Sequence, residues 1–427
     1  MKLKYNPGLY RRAVKAHQEM SSLRATRQRL KDHTYGLQWS DPVTTDDGRI
    51  ISEHEYALES GMRPLTNNLL RSLVKAVVGR FRYNLSADET PADSRLDSFR
   101  ADNLLDELDS RSLEEFLISG CVIQKLVCEC RPGSQLAVWA DNISPKDFFV
   151  NRFSDPRGAD VRLIGHFFRV GLAELKLRFG HGSASRCAML ERCYANSRGF
   201  NDCDADMLCQ VAEVWSFDIN PSRPTEDPHW HCRFMAPNGT VLDETRSPLP
   251  SGSHPYAFKF YPLTDGEVHS FIEDLIGQQK HINMLITMID HILANSAKGV
   301  LLMPMDSVMP DSDIKDVCRV WSKPGGVIPL NPASRLMPME VSASSGASRD
   351  ASQLLDTEMK LFQNISGVSG ALQGQLPSSN VSASLYESQV YNSAIALLDI
   401  YESFNSFRAA RDRIALELTE GCLHEGA

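Results

Sequence analysis

The sequence PHWHC, which holds His229, His231 and Cys232, places three metal-binding side chains close together in this 427-residue chain. His and Cys are first-choice zinc ligands. The surrounding residues predict a β-strand, in which successive side chains point to opposite faces, so that both histidines lie on one face and Cys232 on the other. We therefore expect a structural role without a bound metal, and a metalloenzyme built on this stretch is kept as an alternative.

Four other cysteines, Cys187, Cys193, Cys203 and Cys209, are too widely spaced to resemble the paired ligands of structural zinc sites, which lie about two to four residues apart. The sequence contains 10 cysteines in all and begins without the apolar core of a secretory signal. Such scattered cysteines are typical of free thiols in a reducing compartment.

The glycine-rich and acidic stretches also lack the neighbouring residues that a phosphate-binding or cation-binding site requires. Gly367, Gly370 and Gly374 suggest a phosphate-binding loop, but Gln375 and Leu376 follow where such a loop requires Lys and then Ser or Thr. Asp311 and Asp313 are explained by the start of a helix, where carboxylates are favoured. No set of nucleophile, base and orienting group is recognisable, so the sequence predicts a protein that is not an enzyme and uses no cofactor.

Composition indicates a globular protein of two or three structural units, with 42% hydrophobic and 23% charged residues. No run of about 18 apolar residues predicts a membrane span. The net charge of -9 is unevenly distributed, because residues 1–31 hold nine Lys or Arg and a single acidic residue, Glu19. Residues 261–427, with 11 basic and 20 acidic residues, are acidic, so that any contact they make with nucleic acid must be loose.

The first 260 residues predict a mixed α+β unit. Residues 6–31 read as a basic helix with a weak apolar stripe, which packs lightly or binds a partner. Further helices are predicted from Thr66 or Asn67 through Val78, and from Leu104 to Cys121. Strands are predicted in CVIQKLVCEC, LAVWADNISPKDFFV and VRLIGHFFRV, and a β-meander in CQVAEVWSFDI, HWHCRFMA, TVLDET and YAFKFYP.

The later residues predict long helices separated by an insert and a loop. Apolar periodicity favours helices over 264–297, 351–365 and 383–419. Residues 299–350 are broken by prolines into short strands around a small helix. The most unusual stretch is the polar, glycine-containing run from Ser366 to Ser382, which predicts a long loop between two helices. Loops longer than about a dozen residues without secondary structure are uncommon, and they are usually functional or disordered.

Several short motifs, taken in order, resemble the portal proteins of tailed bacteriophages, particularly those of short-tailed phages. The matching segments are Tyr35 to Trp39, Arg63 to Asn68, Val74 to Gly79, Ile143 to Phe148 with Asp155-Pro156, Glu213 to Trp215, Gly266 to Asn283 with Gln278-Gln279, and Gly367 to Asn392. Each motif alone is weak, whereas their order over residues 33–410 is specific.

The resemblance implies a portal-like subunit with a mixed wing, long stem helices, a clip and a long C-terminal helix. The implied wing is 1–263, the first stem helix 264–298, the clip 299–350 and the second stem helix 351–365. A tunnel loop over 366–382 would precede a long helix over 383–427 that returns to the wing. The loop residues expected to face DNA are Gly367, Ser369, Gly370, Gln373, Gly374, Gln375, Ser378, Ser379 and Asn380.

The implied function is a ring of about twelve subunits at one capsid vertex, a channel for packaging and ejection of double-stranded DNA. The implied partners are the large subunit of terminase, the major capsid or scaffold protein, a tail adaptor and DNA bound without sequence preference. The protein would belong to the virion and assemble in the bacterial cytoplasm. Many such portals continue into a crown beyond the long helix, so an end at Ala427 implies a chain without one or a short or divided gene. An oligomeric head–tail adaptor or scaffold protein without DNA passage remains the alternative.

Overall fold

The first of two compact units comprises Met1–Asp32, Arg71–Asp274 and Gly367–Ala427, and the second comprises His33–Leu70 and Leu275–Ser366. The structure is a computed structural model that describes residues 3–87, 94–131, 133, 135–195, 208–218, 229–296, 300–302, 315, 317, 319, 339–341, 345–370 and 383–425. The α+β class expected from the sequence is confirmed.

The first half of the chain alternates helices with strands. Its helices are α1 Pro7–Glu19, α2 Ser21–Thr34, α3 Glu53–Glu59, α4 Leu69–Ala87, α5 Ser94–Asp102, α6 Leu105–Ser119, α7 Leu172–Phe179 and α8 Ala184–Ala195. Its strands are β1 Pro42–Thr44, β2 Ile50–Ser52, β3 Cys121–Cys130, β4 Leu136–Asn142, β5 Phe148–Val150, β6 Leu163–Gly171, β7 Leu208–Asp218, β8 His229–Met235, β9 Val241–Arg246 and β10 Tyr256–Phe260.

The remaining elements are longer helices with short strands between them. They are β11 Leu263–Thr264, β12 Glu267–Val268, α9 Ile276–Ser296, β13 Val300–Leu302, β14 Met339–Val341, α10 Ser345–Ser366, α11 Ala383–Ala396 and α12 Leu398–Glu425. A short 3-10 turn, Glu273–Leu275, leads into α9.

Two antiparallel sheets form the centre of the first unit. The larger sheet has the order β5-β6-β7-β8-β9 and the smaller has the order β10-β3-β4. β7, β8 and β9 form the predicted meander, with the Asn238-Gly239 turn between β8 and β9. β10 was predicted to continue that meander, and this is wrong: it pairs with β3, because Tyr256 lies opposite Lys125 and Phe260 opposite Cys121.

The N-terminal arm contributes to the core of the first unit. A single lightly packed helix was expected, but the chain forms α1 and α2, which are separated at Met20. Leu9, Ala13 and Ala16 are buried in an apolar cluster with β5, β6, β7 and β9. The two alanines let the helix approach the sheet closely, which a weak apolar stripe did not reveal.

The C-terminal helix α12 is joined to α6 by buried ion pairs. Asp109 accepts hydrogen bonds from Arg411, and from Arg408 Nε at 2.8 Å. Arg411 is 1% exposed and also contacts Asp412. One helix was expected over 383–419, but the structure has a break at Leu397, where α11 ends and α12 begins.

In the second unit, α9 packs against α10, and β1 pairs with β2 before α3. α9 begins at Ile276, twelve residues after the predicted start at Thr264. The earlier residues form the β11–β12 hairpin instead, with Asp265 and Gly266 in its turn at φ values of 53° and 82°. An Asp-Gly pair with two positive φ angles is typical of a tight hairpin turn, a local signal that outweighs helical periodicity. α10 is longer than predicted and begins at Ser345.

Candidate functional site

The predicted DNA-facing loop is described at its beginning. Gly367, Ser369 and Gly370 belong to the described residues, whereas Gln373, Gly374, Gln375, Ser378, Ser379 and Asn380 lie outside them. The loop residues therefore remain a prediction. Most of the predicted clip, 299–350, also lies outside the described residues, although β13 and β14 within it are the short strands that were expected.

Gly367 ends helix α10 and starts the candidate loop. Its φ of 66° is left-handed, a conformation that glycine adopts without steric cost. A Cβ at this position would lie 2.8 Å from the Cβ of Ala396, so a side chain would also collide with the end of α11. Two independent constraints, backbone conformation and space, thus require glycine here.

The start of the loop and the end of α11 meet at one anchor, formed by Gly367, Val368, Ala396 and Leu397. Val368 and Leu397 are both fully buried. The chain between them leaves this anchor, passes through the candidate loop and returns along α11. Because α11 has 14 residues, it spans about 21 Å from its first residue to the anchor.

The surface of α11 is largely exposed where the structure describes its side chains. Ser384, Ser388 and Tyr391 are exposed, and so is Ile395 near the anchor. The hydroxyl groups of Ser384, Ser388 and Tyr391 offer neutral donors and acceptors. This exposed surface can therefore contact another molecule through uncharged hydrogen bonds.

A second feature is a polar ladder along α9, formed by Gln279, Asn283 and Thr287. These side chains lie one turn apart on one face, and each accepts a hydrogen bond from a backbone N–H of residues 65–70, which run from the loop before α4 into its first turn. Leu65 N donates to Thr287 Oγ1 at 3.0 Å, Asn67 N to Asn283 Oδ1 at 2.9 Å and Leu69 N to Gln279 Oε1 at 3.0 Å. A segment that lies outside the strands thereby has its amides paired.

The ladder also caps helix α4. Leu69 and Leu70 are the first residues of α4, and Gln279 Oε1 accepts from both of their amides, the second at 3.3 Å. Gln279 Nε2 in turn donates to Asn67 O at 2.7 Å. The sequence predicted that Thr66 or Asn67 caps this helix, but the acceptor is supplied by α9, more than 200 residues later, which no local pattern could indicate.

The segment 35–39 completes the ladder. Asn283 Nδ2 donates to Gln38 Oε1 at 2.5 Å, and Gln38 Nε2 donates to Asn68 Oδ1 at 3.1 Å. Trp39 Nε1 donates to Leu65 O at 3.2 Å. Three motifs on which the sequence resemblance depends, 35–39, 63–68 and 266–283, therefore meet in one hydrogen-bonded cluster.

Lys280 adds an ionic contact beside the ladder. Its ammonium lies 2.9 Å from Asp41 Oδ2 and 2.5 Å from Glu53 Oε1. Burial lowers the pKa of Lys280, but hydrogen bonds to both carboxylates outweigh it, so the pKa is raised. The cation thus joins α9 to the β1–β2 and α3 region of the same unit.

In the first unit, the Glu213 motif lies in a buried polar cluster that links the two sheets. Lys125 Nζ of β3 donates to Glu213 Oε2 of β7 at 2.6 Å, and Trp215 Nε1 donates to Glu213 Oε1 at 2.8 Å. Burial raises the pKa of Glu213, but Lys125 and His166 favour the carboxylate and bring its pKa down to about 2. Burial lowers the pKa of His166 to about 4, and its Nδ1 contacts Tyr256 Oη at 2.8 Å. The cluster joins β3 of the smaller sheet to β7 of the larger sheet through a buried ion pair.

The alternation predicted for PHWHC is present in β8. Trp230 and Cys232 are buried, whereas His229 and His231 are half-buried with ring centroids 4.5 Å apart. Among the described residues, no group of three or more His, Cys, Asp or Glu side chains is placed to hold a metal ion. The two histidines therefore share a face that Cys232 does not reach.

The cysteines are not uniformly thiols. Cys121, Cys187 and Cys232 are free, but Cys128 is disulfide-bonded, which contradicts the expectation of free thiols throughout. That expectation came from the cellular compartment alone, and it could not account for which cysteines the fold brings together.

A model of the phage P22-like portal protein family matches residues 139–425, about two thirds of the chain. Among curated proteins, none matches the sequence at a significant level. Across the described residues, no helix is long and apolar enough to cross a membrane.

Proposed function

Because the chain belongs to the phage P22-like portal protein family, we propose that it assembles into a closed ring at one vertex of a phage capsid and that double-stranded DNA passes through this ring during packaging and ejection. The ring would have about twelve subunits and a mass of about 570 kDa for a 47.6 kDa chain. The terminase large subunit, the major capsid or scaffold protein and a tail adaptor are its proposed partners. The protein is proposed to be a non-enzymatic component of the virion.

The observation that supports ring assembly best is the apolar surface of the second unit. Its exposed large apolar side chains are Tyr35, Leu37, Ile50, Tyr56, Leu58, Met284, Met288, Leu293, Leu354, Met359, Leu361 and Ile365. Exposed apolar surface marks a protein contact where it forms a contiguous patch. On α10, Leu354, Leu361 and Ile365 follow a helical spacing that places them on one stripe. A neighbouring copy would cover these side chains.

Within the ring, residues 264–298 and 351–365 would be the stem helices, 299–350 the clip and 1–263 the wing. Ser366 to Ser382 would be the tunnel loop. Gly, Ser, Asn and Gln in that loop allow movement and weak hydrogen bonds to phosphates without strong charge attraction. An acidic C-terminal half suits DNA that must slide, because clustered cations would hold it in place.

Ring assembly is tested by replacing Leu354 and Leu361 with Ser and measuring particle mass by mass photometry. We expect the double variant to lose rings while its thermal unfolding stays unchanged, because both side chains are exposed. Leu177→Ser is the matched control, since Leu177 is an exposed leucine of the first unit, 85% accessible. Wild-type protein that stays monomeric or dimeric under all assembly conditions would refute the ring.

DNA passage is tested separately on the loop. Replacing residues 370–380 with a short Gly-Ser bridge should leave rings of normal appearance that package or retain DNA poorly. Gln373→Lys with Gln375→Lys should slow the translocation of DNA in a salt-dependent manner, because each added cation strengthens the contact with DNA phosphates. Normal filling and retention with both variants would show that the loop does not face DNA.

A further inference from the structure

Helix α1 presents a cationic face that the proposed channel does not use. Arg11, Arg12 and Lys15 are all exposed; at helical spacing Arg11 and Lys15 lie away from the buried Leu9, whereas Arg12 flanks the buried face. The chain as a whole carries a net charge of -9. A concentrated positive face on an acidic protein therefore needs a physical explanation.

The face is held rigidly by its support. Ala13 and Ala16 pack α1 against the five-stranded sheet, and Asn6 caps the helix by accepting from Leu9 N at 3.1 Å. Asn6 N also donates to Gly239 O at 2.9 Å, which fixes the start of α1 to the β8–β9 turn. The three cations consequently keep a fixed spacing, unlike those of a flexible basic tail.

A carboxylate neutralises Arg27 of the arm more completely than any of these three cations is neutralised. Arg27 makes a two-point pair with Glu115 at 2.6 and 2.7 Å. On α1, Lys15 lies 3.8 Å from Glu19 in an exposed pair of little strength, and Arg11 Nε donates to a backbone carbonyl. Among the described residues, no carboxylate pairs with Arg12.

We propose that this face of α1 is a second DNA contact, which binds backbone phosphates by charge and is separate from the tunnel loop. The proposal rests on the proposed function in that it takes double-stranded DNA as the polyanion present. Gly8 precedes Arg11 by three residues, Arg12 by four and Lys15 by seven, so that it lies on the same face of the helix as the three cations. Because glycine has no side chain, the middle of this face is flat and lacks a large apolar group. Protein partners are usually anchored by buried aromatic or apolar side chains, whereas phosphates require only cations and donors.

The contact should be weak and strongly dependent on salt. Each phosphate neutralised on duplex DNA contributes about -0.9 to the slope of log affinity against log salt concentration. Three cations therefore contribute about -2.7 for each subunit that touches the duplex. Between 50 and 200 mM salt, this corresponds to an extra loss of affinity of about 40-fold.

The experiment measures binding of a fluorescent 30-base-pair duplex to the full-length protein by anisotropy across that salt range. The variant replaces Arg11, Arg12 and Lys15 with Gln, and we expect weaker binding with a slope shallower by about 2.7 per contacting subunit. A second variant, Arg11→Lys with Arg12→Lys, keeps the charges and should keep the slope. The control replaces three exposed cations elsewhere in the first unit, Lys75, Arg82 and Arg246, with Gln and should leave the slope unchanged.

Two outcomes would overturn the proposal. Equal slopes for wild type and the Gln variant would show that α1 does not touch DNA, and loss of co-assembly with capsid protein at unchanged DNA affinity would assign the face to an acidic protein partner. Particle mass, measured on the same samples, separates this inference from the proposed function. Rings that form normally with an unchanged DNA slope would refute the α1 contact alone, whereas absence of rings in wild type would refute the portal ring.

Discussion

The two units of this protein are stabilised in different ways. Over its described residues, the first unit has three apolar clusters around its sheets and buried ion pairs at Asp109 and Glu213. The second unit depends on the polar ladder of α9 and exposes twelve large apolar side chains, against nine in the much longer first unit, both counts covering the described residues. Relative to its length, the first unit therefore leaves less apolar surface exposed than the second, and the exposed surface of the second is what the proposed ring would cover.

The largest effect is expected in the first unit, from Asp109→Ala. This change leaves Arg411, 1% exposed, without the carboxylate that neutralises it, and breaking one side of a buried pair costs about 3–5 kcal/mol. Asp412→Ala should cost less than about 1 kcal/mol, because of the two carboxylates that contact Arg411, Asp412 is more exposed than Asp109. Chemical denaturation measures both, and equal costs would show that α12 is not held to α6 through Asp109.

In the second unit, Gln279→Ala removes the acceptor of two α4 amides and should cost about 2–3 kcal/mol. Gln278→Ala is the matched control. The side chain of Gln278 is only half-buried, so its removal should change the free energy of unfolding by less than about 0.5 kcal/mol. Hydrogen exchange at the amides of Leu69 and Leu70 should accelerate in the first variant alone. Unchanged exchange there would mean that the ladder does not stabilise this unit.

A smaller effect is expected at the anchor of the candidate loop. Gly367→Ala places a Cβ at a left-handed φ and 2.8 Å from Ala396, for a cost of about 1–2 kcal/mol. Gly277→Ala, in the helix α9 with open space around it, should be neutral or stabilising by up to about 1 kcal/mol. Thermal unfolding of both variants tests the anchor, which would be disproved by equal stabilities.

The smallest effect at neutral pH is expected for His166→Gln, which can keep a hydrogen bond to Tyr256. The folded-state pKa of His166 is about 4, below the ordinary 6.5, so the unfolded chain binds this proton more readily. Its contribution to stability is present above pH 6.5 and is lost as the pH falls toward 4. Chemical denaturation at several pH values across that range should show that the free energy of unfolding depends less on pH in the variant than in the wild type. An equal pH dependence of the two proteins would contradict the assigned pKa.

Local patterns predicted the elements of the first unit well. CVIQKLVCEC is strand β3 from its first residue to its last, and the meander through β7, β8 and β9 follows from alternation and the Asn-Gly turn. The partner of β10 could not be predicted this way, because pairing with β3 joins residues more than a hundred positions apart. Which sheet a strand enters depends on the packing of the whole unit.

The second unit was harder to predict because side chains distant in sequence stabilise it. Periodicity found α9 but extended it over the β11–β12 hairpin, although Asp265-Gly266 carried a turn signal. The motifs containing Gln38, Asn67 and Gln279 supported the family resemblance, but nothing in their spacing showed that they form one ladder. For the candidate loop, the sequence placed Gly367 within the loop, and only the structure revealed its left-handed φ and its close approach to Ala396.

The anchor at Gly367 and Ala396 gives helix α11 a pivot at its C-terminal end. A rotation of about 10° about that pivot would move the far end of α11, about 21 Å away, through about 4 Å. Successive base pairs of duplex DNA are separated by about 3.4 Å. In the proposed channel, a rotation of this size at two close-packed residues would therefore match the advance of the DNA by one base pair.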